Sequence, residues 1–412
     1  MSDLPSRTTP AALARLRTLA EAGDADACVQ FGRCLAEGWG CRPDEDAALG
    51  WFLRGARAGH GDAARRAATL ALRLRGAAAA YETDVLACLE EAAYAGQAEA
   101  RALLGWCLQH ARLGASADPV AANRWLRLAA LDGSAHGRYL YALNLMHGRG
   151  VERDCRAAVA LLELAAEQGD LRAQLELGVA LCEGRGTPRD VVAALAWYRA
   201  AARRGYARAQ FNLGLLLLGG EAPEQDDVEA ASWIAAAAAQ GLGKAQYTLA
   251  TLHRRGLGVS QDAAAASLWL TRAAEGGHAR AQYRLSRICA ARGETDAARR
   301  WLEAAANGGS TAAQASLARA FAAAADVRER ERAAGWFRRA AEAGDVRAMH
   351  GLGVCHYRGI GVPRDLLEAY VWFCRAATGG LAVAIAARDR LARKLGPEVL
   401  ASARRPARRP AP

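Results

Sequence analysis

The sequence predicts an all-α protein in which about ten helix–turn–helix units of about 36 residues follow one another. Three observations carry this reading. Hydrophobic residues make up 52% of the 412 positions while aromatics make up only 6%, and alanine supplies most of the difference. Alanine is the best helix former and a poor strand former, so an all-β chain is excluded. A heptapeptide recurs: RAQLELG from Arg172, RAQFNLG from Arg208, KAQYTLA from Lys244 and RAQYRLS from Arg280, each 36 residues from the next. Finally, a bulky residue is followed eight positions later by glycine, as in Trp51/Gly59, Trp125/Gly133, Trp197/Gly205, Trp269/Gly277 and Trp372/Gly380. A fixed period of this length is the signature of a repeat architecture.

The elements follow in order. Residues 1–10 read as disordered, and 11–23 as a lone helix capping the first unit. The alanine of the heptapeptide gives the anchors of the units: Ala27, Ala63, Ala100, Gly137, Ala173, Ala209, Ala245, Ala281, Ala313, Ala348 and Ala384. The units tile residues 24–380 as one array, where length alone would have suggested two or three domains. Each first helix carries apolar residues at helical spacing, such as Phe211, Leu213, Leu217 and Leu218. A small residue stands five after the anchor (Gly32, Gly105, Gly178, Gly353), although glycine within a helix costs roughly 0.5–1 kcal/mol against alanine. Its recurrence implies close approach by a neighbouring helix.

A turn such as Glu183–Asp190 (EGRGTPRD) follows, with glycine ending the first helix in the left-handed conformation. Asp154, Asp190, Asp262 and Asp365 are placed to cap the second helices. The tryptophan of each second helix reads as a core knob between repeats, worth about 3–5 kcal/mol. Residues 381–402 read as closing helices that cover an otherwise exposed apolar face, and 403–412 as a disordered Pro/Arg tail.

The anchor alanine, a Leu-Gly five residues on, the Gly-x-Gly turn, the aspartate, then Trp-Tyr or Trp-Phe with Ala-Ala and Gly together resemble Sel1-like repeats of the tetratricopeptide class. Ala173–Gly205 and Lys244–Gly277 fit closely, and the resemblance spans about residues 24–395. It implies a right-handed α-solenoid that acts as a non-catalytic adaptor, with the positions one before and two, six and nine after each anchor lining a concave face. The unit from Ala63 departs from the pattern, lacking the turn and the tryptophan; that from Ala281 is four residues short, and that from Ala313 has AAAADVRERE in place of the turn.

No catalytic constellation emerges. The Gly-x-Gly turns, including Gly148–Gly150 and Gly184–Gly186, lack the preceding strand and third glycine of a dinucleotide site. The eight histidines form no metal spacing, and the densest group is His350 with Cys355 and His356. Glu90/Glu91 and Asp226/Asp227 are sequence neighbours and so do not share a helix face. No cofactor is expected. The ten cysteines read as reduced thiols, with Cys34 and Cys41 the pair left open for a bridge. The start, Met1–Asp24, holds no apolar run of the length a secretory signal needs, and nowhere is there a run long enough for a membrane span, so the expected location is the cytoplasm and no membrane insertion is expected. High alanine and arginine with little lysine point to a GC-rich bacterial source.

The proposed inward positions change sign along the chain. The residue before the anchor is acidic early (Asp26, Asp62, Glu99) and basic later (Arg172, Arg208, Lys244, Arg280). Arg254 and Arg287 join the basic set, and Phe211, Tyr247 and Tyr283 stand among them. These nine residues are the expected partner site, since arginine pairs bidentately with carboxylates and tyrosine gives rigid contact area. The expected partner is a protein or an acidic peptide segment, in bacterial signalling or complex assembly. Two alternatives stay open. One is a β-lactamase-like hydrolase, though the secreted relatives it resembles carry a regular cysteine pair per repeat. The other is nucleic-acid binding through the basic positions and the tail at Arg404, Arg405, Arg408 and Arg409, consistent with a net charge of +11.

Overall fold

A computed structural model describes residues 9–220, 226–324 and 326–396. The readings made for residues 1–8, for the turn after 396 and for the basic tail lie outside these. Among the described residues every regular element is a helix, and the fold is an all-α solenoid. The chain divides into two compact units, residues 1–223 and 224–412.

In the first unit, α1 (Pro10–Glu21) precedes the helix pairs α2 (Ala25–Glu37)/α3 (Glu45–Arg57) and α4 (Gly61–Leu74)/α5 (Glu82–Tyr94). The pairs α6 (Ala98–His110)/α7 (Pro119–Leu131), α8 (Ala135–His147)/α9 (Cys155–Glu167) and α10 (Leu171–Glu183)/α11 (Val191–Arg203) follow, and α12 (Ala207–Leu218) closes the unit. The α4/α5 pair forms without the glycine turn, through a 3-10 segment at Arg75–Tyr81. The second unit holds α13 (Asp227–Ala239), α14 (Gly243–Arg255)/α15 (Ala263–Glu275), α16 (Ala279–Ala291)/α17 (Thr295–Asn307), α18 (Thr311–Ala323)/α19 (Val327–Glu342), α20 (Val346–Arg358)/α21 (Leu366–Thr378) and α22 (Ala382–Leu395). Within each unit a helix packs on its sequence neighbours, as α2 does on α3 and α3 on α4.

The repeat chemistry explains the packing. Every anchor alanine is buried, most of them completely. The small residue five later faces the second helix of its own pair: a Cβ added at Gly32 would lie 2.7 Å from the Phe52 ring, one at Gly105 2.7 Å from Leu126, and one at Gly353 2.6 Å from the Phe373 ring. This corrects the reading of the tryptophans. In seven of the eight described second helices that carry a tryptophan, the deep knob is the residue after it: Phe52, Leu126, Tyr198, Ile234, Leu270, Phe337 and Phe373 are buried, and Leu302 is half-buried. Trp336 and Trp372 are buried too, whereas Trp51, Trp125, Trp197, Trp233, Trp269 and Trp301 are half-buried. The outer faces of four of them carry the arginine one turn on, with Arg54 4.6 Å over Trp51, Arg272 4.8 Å over Trp269, Arg339 4.8 Å over Trp336 and Arg375 4.6 Å over Trp372.

Asp154, Asp190, Asp262 and Asp365 cap their helices as expected, and Asp44, Asp118 and Asp226 do the same. The two glycines of the turn do different work. Gly184 ends α10 at φ +67° with Arg189 Cβ 3.5 Å from where its own Cβ would lie. Gly186, at φ +76°, lies directly on the start of α9, where a Cβ would overlap the Cys155 carbonyl and stand 2.9 Å from its Cβ. Gly258 lies in the same way on Asp227, and Gly361 on Arg330 and Glu331. The turns are therefore packing devices between successive pairs.

One recurring residue carries a role that periodicity did not reveal. The glutamine after the anchor is buried, and its Nε2 donates to the carbonyl eight residues earlier. Gln174 bonds Ala166 at 3.0 Å, Gln210 bonds Ala202 at 3.2 Å, Gln246 bonds Ala238 at 3.2 Å, Gln282 bonds Ala274 at 3.0 Å and Gln314 bonds Ala306 at 3.1 Å. Arg101 and Arg138 make the same bond by Nε, to Ala93 at 2.9 Å and to Ala130 at 3.2 Å. Each ties a first helix to the end of the preceding second helix, as a second donor to a carbonyl that already accepts the N–H of the glycine three residues on, such as Gly169 on Ala166 at 2.9 Å.

Candidate interaction surface

The residue before each anchor is the second of its first helix, and after Arg172, Arg208, Lys244 and Arg280 the next two positions, the anchor and the glutamine, are buried. It therefore stands at the rim of the first-helix face. Early in the first unit this row is acidic and satisfied internally. Asp26 accepts from His60 Nε2 at 2.9 Å, Asp62 is held by Arg66 at 2.6 Å and by Arg65, and Glu99 accepts from Ser134 Oγ at 2.6 Å. Arg172, the first basic member, is engaged as well. It pairs with its own cap Asp170 at 2.7 Å and lies 4.8 Å over the Tyr139 ring. Although burial opposes it, the Arg172 guanidinium holds the Asp170 carboxyl below the ordinary range.

The remaining basic residues are different. Arg208 in the first unit, and Lys244, Arg254, Arg280 and Arg287 in the second, are exposed. Among the described residues none of these five makes an ion pair. Arg208 is close enough to Glu176 to offset part of the rise that burial imposes on that carboxyl. His278 is held below its ordinary value by burial and then by the fields of Arg280 and Lys244, which places both cations beside one ring.

The aromatic members are half-buried and bridge neighbouring first helices. The Tyr247 ring stacks on His278 with centroids 5.0 Å apart, and Tyr283 Oη lies 3.2 Å from Ser316 Oγ. Phe211 is half-buried on α12. The structure thus brings Tyr247 onto His278, a ring that feels the fields of Lys244 and Arg280, and sets Tyr283 and Arg287 of α16 on one cavity lining. Arg172 joins Tyr139 and Asp170 instead.

The signal that distinguishes a spent charge from a free one lies three residues before the following anchor. Asp26 and Glu99 meet His60 and Ser134 there. In the second unit the equivalent position after Lys244 is His278, which offers no carboxylate or hydroxyl.

Other clusters show no comparable arrangement. Burial pushes the Cys355 thiol up to about 11, away from the thiolate a nucleophile needs, and His350 packs against the Phe373 ring. All ten cysteines are free thiols, with Cys41 Sγ 3.5 Å from the Cys34 carbonyl. Among the described residues there is no group of three or more metal-ligating side chains, and no helix long and apolar enough to cross a membrane.

The Sel1 repeat model matches residues 25–60, 98–134, 135–170, 171–206, 207–242, 243–278, 279–310, 311–345 and 346–381. The stretch it passes over, 61–97, is the α4/α5 pair that lacks the glycine turn. No curated protein matches the chain. Among solved structures, a Sel1 repeat protein from Oxalobacter formigenes is 32% identical over 74% of this chain and 89% of its own, with a TM-score of 0.54. A protective antigen of uropathogenic Escherichia coli displaying an SLR fold is 28% identical over 95% of this chain and 92% of its own, with a TM-score of 0.49. With nine matched repeats covering most of its length, the chain belongs to the Sel1 repeat family.

Proposed function

We propose that this protein is a non-catalytic scaffold of the bacterial cytoplasm that holds an acidic segment of a partner protein on its first-helix face. Its repeat solenoid supports a role in protein interaction, since such arrays present extended surfaces. One observation carries the charge preference. The acidic members of the rim row are consumed by His60, Arg65, Arg66 and Ser134, whereas Arg208, Lys244 and Arg280 carry no ion pair among the described residues. Unpaired exposed cations beside half-buried aromatics favour a carboxylate-bearing partner both in encounter and in contact. The ten cysteines include no CxxC pair, which supports a reducing compartment.

The test is affinity capture from the source cells with the wild type and with a variant carrying Arg208→Glu, Lys244→Glu and Arg280→Glu, its helix content checked by circular dichroism. A partner protein held by the wild type and lost by the folded variant is the expected result. A partner held equally by both refutes the basic face as the binding surface. Captured nucleic acid whose retention falls steeply with salt would replace the protein-partner reading.

A further inference from the structure

The second unit contains a cavity of about 540 Å³ among α16, α17, α18 and α19. That volume lies within the roughly 300–1,000 Å³ of ligand pockets. Its position follows from the two irregular repeats. In regular pairs the second turn glycine lies on the start of the preceding second helix, as Gly186 does on Cys155 and Gly258 on Asp227. The sequence from 320 to 334, where α18 gives way to α19, contains no glycine at all. The connector before α17 is four residues short, and Glu294 there makes no side-chain cap. Ala298 and Arg299, near the start of α17, line an opening where a regular pair would carry a turn.

The lining has a distinct chemistry. Leu302, Leu317 and Phe321 give an apolar floor. Arg299 is spent on Glu329 at 2.6 Å and on Glu303 at 3.2 Å. Arg287 is exposed and makes no ion pair, so the lining ends with one unneutralised cation beside an apolar floor. The Phe321 face is already covered, with the Arg332 guanidinium 4.8 Å from its centroid. Of the two lining rings only Tyr283, tethered to Ser316 through its hydroxyl, is left for a nucleobase, and the phosphates would meet one unpaired cation. Stacking platforms and several such cations are what single-strand binding requires.

We propose that this cavity is an anchor pocket for a protein segment in which a large apolar side chain adjoins a carboxylate. The side chain fills the Leu302–Leu317–Phe321 floor and the carboxylate meets Arg287. The proposal rests on the reading of the first-helix face as an acidic-partner surface, because Arg287 belongs to that face, and it adds an apolar specificity element to it.

The probe is indole-3-propionate, an aromatic ring joined to a carboxylate, with tryptamine as its cationic twin. Both are titrated onto the full chain and followed by saturation-transfer NMR. Indole-3-propionate is expected to bind at least tenfold more tightly than tryptamine. Ala320→Trp, which fills the cavity from an exposed position, and Arg287→Glu are each expected to weaken it at least tenfold with unchanged circular dichroism. Ala298→Phe repeats the filling from the α17 side should the first variant lose helix. Absence of binding, equal binding of the two probes, or filled variants that bind like the wild type would overturn the pocket. The two readings fail separately. A partner lost by the triple charge reversal with no probe binding removes the pocket alone. Probe binding by a protein whose partner ignores that reversal removes the basic face alone.

Discussion

The two glycines of one turn give the most direct test of how this solenoid is held together. Gly184 and Gly186 both have positive φ, +67° and +76°, so alanine at either position takes on left-handed strain of about 1–2 kcal/mol. Their surroundings differ. At Gly184 the new methyl meets Arg189 Cβ at an ordinary 3.5 Å, whereas at Gly186 it collides with the Cys155 carbonyl at the start of α9. Relieving that collision means moving one helix pair off the next, an overpacking cost of about 1–3 kcal/mol. Gly186→Ala should therefore cost about 2–5 kcal/mol in total, against about 1–2 kcal/mol for Gly184→Ala. The loss of unfolded-chain entropy on replacing glycine is common to both and cancels in the comparison. A repeat array need not unfold in one step, so a single denaturation midpoint is a poor readout. Amide exchange read by mass spectrometry over α9 and α10 reports the local opening. Protection there should fall roughly tenfold further for each 1.4 kcal/mol, and visibly more in Gly186→Ala than in Gly184→Ala. Equal loss in the two variants would refute the claim that the second glycine is fixed by close approach.

Three further outcomes follow from the same packing. Gln174→Leu should destabilise by about 0.5–1.5 kcal/mol by removing the side-chain bond to the Ala166 carbonyl, which keeps the Gly169 N–H, whereas Gln174→Arg should nearly preserve stability, because Arg101 and Arg138 already make that bond; urea melts of the two variants check it. Tyr198→Ala should cost about 3–5 kcal/mol and Trp197→Ala clearly less, reversing the order that side-chain size suggests; thermal melts compare them. Burial holds His136, His278, His350 and His356 below their ordinary value of 6.5, so the unfolded chain takes up protons there while the folded chain resists. Their contribution to stability is complete above pH 6.5 and is lost as pH falls below it, so the melting temperature should drop on acidification and drop less in a His136→Gln, His278→Gln variant.

Most of the fold was legible because the repeat states it ten times over. Burial of the anchors, the aspartate caps and the left-handed glycines each depend on local chemistry that a single unit displays. What failed was the depth of the tryptophans. Periodicity places Trp197 and Tyr198 on adjacent positions of one helix and says nothing of which faces the partner helix. That is settled by Gly178, whose missing side chain makes room for the Tyr198 ring. The glutamine ladder was visible as a repeated letter but not as a function, since its acceptor is a backbone carbonyl that every residue possesses. The α4/α5 pair shows the converse, an element that keeps its place without the markers because its neighbours supply the packing surface.

The candidate surface was legible in sign and not in availability, and the reason is geometric. A charge at the start of a first helix faces the cap position of the next first helix, about 34 residues on, so its fate depends on two units together. Where the later cap is His60 or Ser134, the charge is taken up within the chain, and where it is His278, a ring held below its ordinary value by burial and two cations, Lys244 meets no anion there. The rule makes the two ends of the row unequal for a physical reason. Exposed pairs of this kind add little to stability, about 0–1 kcal/mol, so pairing the acidic residues does little to hold the fold. What it does is remove negative potential from the rim and leave the later cations to set the field. A His278→Asp substitution would extend the early pattern within the second unit. It should neutralise Lys244 with little change in thermal stability, and weaken capture of an acidic partner as Lys244→Glu does. If instead His278→Asp left capture intact while Lys244→Glu abolished it, the link between cap position and free charge would be wrong even though the surface itself stood.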